Sequence, residues 1–94
     1  MVNSMQFEWD FEKETANVNK HGLTFSTAVE CFYDPKGIQL VDSRHSVAEP
    51  RYYWVGKASD GRILTTWYTL RKDTIRIIGC AEWRKMRSIY YEKA

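Results

Sequence analysis

Thr74-Ile-Arg-Ile-Ile-Gly-Cys-Ala-Glu-Trp-Arg-Lys-Met-Arg-Ser-Ile-Tyr-Tyr-Glu92 is the stretch that decides the fold. Thr74 to Cys80 reads as a β-strand. From about Glu82 to Glu92 a helix follows, with Trp83, Met86 and Tyr90 recurring on one side. A strand running straight into a basic, aromatic-rich helix presents positive charge on braced elements. That is how a small protein offers guanidinium and ammonium groups to a phosphate backbone.

Upstream, the local signals are consistent with this ending. Met5 to Trp9 alternates apolar and polar residues, a short strand. Asp10 suits an N-cap, Glu12 and Glu14 suit the positive end of the helix dipole, and the helix stops at Lys20-His21-Gly22. Phe11, Thr15 and Val18 share one of its faces. Thr24 or Ser26 caps a second helix, whose buried stripe is Phe25, Ala28, Val29 and Phe32. Asp34-Pro35-Lys36-Gly37 is a turn. Strands follow over 38–42, 51–58 and 63–69, separated by a polar loop at 43–50 and by a hairpin at Ser59-Asp60-Gly61-Arg62. On the second of these strands Tyr53 and Val55 face one way, Tyr52 and Trp54 the other. The order is β-α-α-β-β-β-β-α. The expected architecture is α+β: an N-terminal strand and two helices, an antiparallel sheet of four further strands, and a C-terminal helix.

Ninety-four residues make one domain, 1–94, with Met1 to Ser4 expected as a disordered lead-in. At 44% hydrophobic and 15% aromatic, the chain buries enough surface to fold. A net charge of +2 excludes a histone-like polycation, so any nucleic-acid role depends on where the charges lie. The segment from Met5 to Glu14 is acidic; bases dominate from Arg51 onward. No apolar run is long enough for a signal peptide or a bilayer span, which points to the cytoplasm. Cys31 and Cys80 lack metal-ligand spacing and read as buried small hydrophobes. Walker A, GxGxxG, GxSxG and HExxH patterns do not occur, so metal and cofactor sites have no support.

The candidate chemistry is cationic. Arg76 is either a solvated strand residue or a fixed cation at the centre of a concave sheet, aimed at an RNA phosphate. Arg84, Lys85 and Arg87 are either a solvated helix face or RNA-binding residues; Trp83 beside them reads as core. Glu82, at the helix start, either complements the dipole or accepts a proton from a ribose 2′-hydroxyl. His21 either terminates its helix or joins the chemistry. His45, in Asp42-Ser-Arg-His45, is a candidate proton donor or phosphate ligand.

An ordered set of residues resembles a known family. It comprises Phe7-Glu-Trp-Asp10, Lys20-His21-Gly22 with Thr24-Phe25, Phe32 with Asp34-Pro35, Asp42, Arg44-His45, Glu49, Arg51, Gly56 and Ile75-Arg76-Ile77-Ile78. This order is similar to the BrnT family of bacterial type II toxins and spans nearly the whole chain from Met5. The resemblance implies a RelE-like fold and a ribonuclease that cuts RNA without a metal and blocks translation. It also implies a BrnA-type antitoxin that neutralises the toxin and represses the operon, contact with DNA only through that antitoxin, and higher-order toxin–antitoxin assembly. The matching basic candidates are Lys20, His21, Arg51 and Arg76. Typical members continue after the last-strand Arg-Ile-Ile with Ser-Ala-Arg, and carry a Glu-Arg pair on the helix. Here Gly79-Cys80-Ala81 stands instead, the helical pair falls on Arg87-Ser88, and Arg84 is the candidate replacement for the missing guanidinium. The alternative expectation is a non-catalytic RNA- or antitoxin-binding member acting in operon regulation.

Overall fold

The computed structural model describes residues 5–45 and 48–93, so the Met1–Ser4 expectation falls outside the described residues. Its elements follow the expected order: β1 (Gln6–Trp9), α1 (Phe11–His21), α2 (Phe25–Cys31), β2 (Ile38–Val41), a 3-10 turn (Ser43–His45), β3 (Arg51–Lys57), β4 (Ile63–Arg71), β5 (Thr74–Ala81) and α3 (Arg84–Lys93).

Local chemistry sets most boundaries. Asp10 caps α1 by accepting the Glu12 N–H at 2.8 Å. Gly22 ends it at φ 71°, a left-handed conformation that favours glycine, and donates its N–H to the Val18 carbonyl. Thr24, rather than Ser26, caps α2. At the β3–β4 hairpin only Gly61 has positive φ, and Ala58 N–H donates to the Arg62 carbonyl. The loop is therefore a type I turn closed by a glycine bulge, where a two-residue turn would need Asp60 at positive φ as well.

The five strands form one sheet in the order β1-β5-β4-β3-β2. β2 to β5 pair antiparallel, as expected. β1 is not separate from them: it lies parallel to β5, with Phe7 opposite Ile75. α1 and α2 cover one face over a core that includes Phe25, Phe32, Leu64, Tyr68 and Ile77. α3 covers part of the other, where Met86 and Tyr90 pack on Val55, Ile63, Ile38 and Leu40. Tyr90 is fixed there by donating its hydroxyl to Asp34 Oδ2 at 2.6 Å.

The face that Phe11, Thr15 and Val18 share on α1 points to solvent, with Phe11 77% exposed. The residue α1 buries is Asn17. Beyond Trp9, β5 has no strand on that side. Asn17 Oδ1 accepts the Cys80 N–H at 3.0 Å there, while its Nδ2 donates to the Leu23 carbonyl. A side-chain amide thus closes a strand edge that would otherwise leave a buried donor orphaned. Two expectations are corrected. First, α3 begins at Arg84, so Glu82 precedes the helix instead of opening it. Second, β5 is second from the sheet edge, so Arg76 is not central.

Candidate RNA-cleavage site

On the face that α3 leaves open, one row of residues crosses all five strands. Glu8 on β1 pairs with Arg76 on β5, Arg76 with Thr69 on β4, and Thr69 with Arg51 on β3. Asp42, just past β2, donates its N–H to the Arg51 carbonyl at 2.8 Å. Paired residues project to the same face, so the row reads acid, arginine, threonine, arginine, acid.

Each arginine is held from its outer flank. Arg76 Nη1 lies 3.1 Å from Glu8 Oε2, and Arg51 Nε lies 3.5 Å from Asp42 Oδ2. Their Cα atoms are two strand spacings apart, about 10 Å. Between them Thr69 is buried, and its hydroxyl has no hydrogen-bond partner among the described residues.

At the β2 end, Asp42 gathers three neighbours. His45 Nδ1 approaches its carboxylate at 2.9 Å, Arg51 lies alongside, and the Tyr53 hydroxyl donates to it. Burial raises the Asp42 pKa, but the His45 and Tyr53 hydrogen bonds and the charges of His45 and Arg51 outweigh it, so the net shift is downward. Burial also raises the Tyr53 pKa, reinforced by the Asp42 charge.

The next row holds Trp67, opposite Tyr53 and Gly79. A β-bulge leaves Ile78 as an extra residue between the partners of Trp67 and Tyr68. Gly79 is required here, because a Cβ would sit 2.3 Å from Trp67 Cζ2. Trp83 stacks on Trp67 at 5.0 Å and 9°, and Tyr53 meets its edge. Trp83 is 37% exposed, so it is a platform at the core's rim rather than part of it.

The candidates therefore fall into three groups around this indole pair. Arg76, Arg51 and His45 share the arginine row. Lys20 and His21 stand at the β5 edge, lining a hollow with Trp67 and Ile78; the His21 ring meets Trp67 edge-on at 6.2 Å. Glu82, Arg84 and Arg87 line a third hollow with Trp83. Six residue steps along β5 and its exit, roughly 20 Å of extended chain, separate Arg76 from Glu82, so Glu82 does not meet the row. Lys85 is exposed and outside that hollow.

Sequence reasoning missed Asp42 and Thr69 as site residues, and Trp67 as a neighbour of His21. The Asp-Ser-Arg-His spacing could have signalled the first; nothing local signals the other two. Cys31 and Cys80 are buried free thiols whose pKa values burial pushes to about 12 and about 11, so neither is a nucleophile at neutral pH. Among the described residues, no three His, Cys, Asp or Glu side chains are grouped to hold a metal ion, and no helix is long and apolar enough to cross a membrane.

No curated protein matches the chain by sequence. Among solved structures, the fold is similar to the crystal structure of the Brucella abortus ribonuclease toxin BrnT. The TM-score is 0.65 at 18% identity, covering 85% of this chain and 97% of that one. Residues 9–87 match the family described as ribonuclease toxin, BrnT, of type II toxin-antitoxin system. The chain belongs to the BrnT family of type II toxin–antitoxin ribonuclease toxins.

Proposed function

We propose that this protein is a metal-independent endoribonuclease whose scissile phosphate sits over Thr69, between Arg51 and Arg76. The observation that carries the reading is the row Glu8–Arg76–Thr69–Arg51–Asp42 with His45 at its end. Two guanidiniums, each braced by a carboxylate, offer fixed donors to the charge that develops on a phosphorane. Thr69 between them is buried and forms the floor of the site.

His45 supplies the proton transfer. With Nδ1 bound to Asp42, its Nε2 takes the proton from a ribose 2′-hydroxyl. The 2′-oxygen attacks phosphorus as the bond to the 5′-oxygen breaks. Lys20 or His21, on the opposite flank, protonates that oxygen. The products are a 2′,3′-cyclic phosphate and a 5′-hydroxyl. Arg84, Lys85 and Arg87 hold the strand downstream by charge, which makes binding salt-dependent. Cleavage of message blocks translation, and a BrnA-type antitoxin silences the enzyme by covering this face.

The test is cleavage of an RNA oligomer by purified protein in excess chelator. The expected result is cyclic-phosphate and 5′-hydroxyl ends, lost in Arg76→Ala and His45→Gln. Full activity in Arg76→Ala would overturn the site. Intact RNA with the unsubstituted protein would favour the non-catalytic reading.

A further inference from the structure

The hollow beyond Trp83 uses none of the arginine row. Glu82, Trp83, Arg84 and Arg87 enclose about 240 Å³. One face of the Trp83 indole is spent on Trp67, and over a third of the residue remains exposed. Glu82, Arg84 and Arg87 are exposed, and among the described residues no ion pair engages their side chains.

The local sequence here breaks helix rules. The Trp83 carbonyl accepts the first helical hydrogen bond, from Arg87 N–H, so an indole stands where a capping side chain is usual. The first turn carries no acid, and Arg84 and Lys85 face the positive end of the dipole. Residues that oppose local stability around an open hollow fit a ligand better than a scaffold.

We propose that this hollow is a nucleobase subsite that selects guanine. It rests on the nuclease reading above for its substrate class, an RNA strand. The base stacks on the outer face of Trp83, as unpaired bases do on exposed aromatic rings. Its Watson–Crick edge meets Glu82 and an arginine side by side. Guanine alone presents two adjacent donors, N1–H and N2–H, to a carboxylate, next to an O6 acceptor for a guanidinium. Adenine and cytosine turn a ring-nitrogen acceptor toward the carboxylate, and uracil offers a single donor. The subsite lies along β5 from the arginine row, so it reads a base further along the strand than the nucleotides at the cut.

The experiment uses 2′-O-methyl pentaribonucleotides, which bind but cannot be cleaved, uniform in uridine except for one central base. Affinity is read by fluorescence anisotropy with the full chain. The central guanine is expected to bind about tenfold more tightly than adenine, cytosine or uracil, with inosine, which lacks the exocyclic amine, in between. Glu82→Gln, an exposed and fold-neutral change, is expected to reduce the preference to within about twofold. Arg76→Ala is expected to leave it intact. Equal affinities, no binding of any pentamer, or an undiminished preference in Glu82→Gln would overturn the subsite. So would a Glu82→Gln protein that loses capture of the antitoxin but keeps its base preference, since the hollow would then belong to a protein partner. Cleavage without preference leaves the nuclease standing and removes the subsite; preference without cleavage does the reverse.

Discussion

His45 Nδ1 lies 2.9 Å from the buried Asp42 carboxylate, and this contact fixes the imidazole tautomer. An ionised carboxylate only accepts, so Nδ1 carries the proton in this contact and Nε2 points away from Asp42. The ring itself is 55% exposed, within reach of a substrate.

Asp42→Asn tests that relationship. Its amide can present a donor to Nδ1 and stabilise the wrong tautomer. Cleavage is expected to fall by about 10²–10⁴-fold, read as single-turnover rate. A rate within twofold of the parent would remove His45 from the chemistry.

Arg76→Ala separates function from stability. Its bond to Glu8 is a partly exposed ion pair, with the two side chains 28% and 42% exposed. Losing such a pair costs about 0–1 kcal/mol, while losing a donor to the transition state costs about 10²–10³-fold in rate. Urea unfolding and RNA cleavage on the same preparation check both. A loss above about 2 kcal/mol would make Arg76 structural.

Asn17→Ala should be strongly destabilising. It strands the Cys80 N–H, a buried donor, and the Leu23 carbonyl. The expected cost is about 2–3 kcal/mol, with faster hydrogen exchange at Cys80 than at Ile77.

Gly79→Ala should perturb the indole stack without changing any charge. Its Cβ would meet the Trp67 ring, so the ring must move or β5 must bend. Overpacking of this kind costs about 1–3 kcal/mol. A changed near-UV dichroism signal, with that loss in chemical unfolding, is the expected result. An unchanged spectrum would place the Trp67 ring elsewhere.

Acid should unfold the protein through two aspartates. Burial raises the pKa of both Asp42 and Asp34, but hydrogen bonds prevail and the net shift of each is downward. For Asp34 the bonds come from the Tyr90 hydroxyl and the Lys36 and Lys57 N–H groups. A lowered folded-state pKa stabilises above the unfolded value, about 3.9, and that stability is lost as pH falls through the folded value. Melting temperature should therefore hold from neutral pH to about 4 and fall below it. Tyr90→Phe should lower the melting temperature at neutral pH and make the fall in acid smaller, since Asp34 loses a donor to its ionised form and its folded pKa moves back towards the unfolded value.

Elements and caps were legible because their causes are local. Asp10, Gly22 and Thr24 mark helix ends through bonds to residues two to four positions away. The split of Tyr53 and Val55 from Tyr52 and Trp54 follows from the two-residue period of a strand. That Phe11, Thr15 and Val18 share a face of α1 was legible too, but helical spacing says only which residues share a face, not whether anything covers it. Glu82 stands close to Arg76 in the sequence, and whether its carboxylate faces the same groove depends on the path of β5 between them. An extended strand turns that proximity into distance.

The sequence alone determined the order of the elements, their ends, the hairpin and the cationic character of the last third, since each depends on nearby residues. Tertiary structure decided that β1 joins β5, that Asn17 seals the strand edge, and that Glu8, Arg76, Thr69, Arg51 and Asp42 form one row. It also decided the stacking of Trp83 on Trp67. The reason is register: a shift of one residue between two strands would turn each arginine to the opposite face, and register is set by packing across the whole sheet.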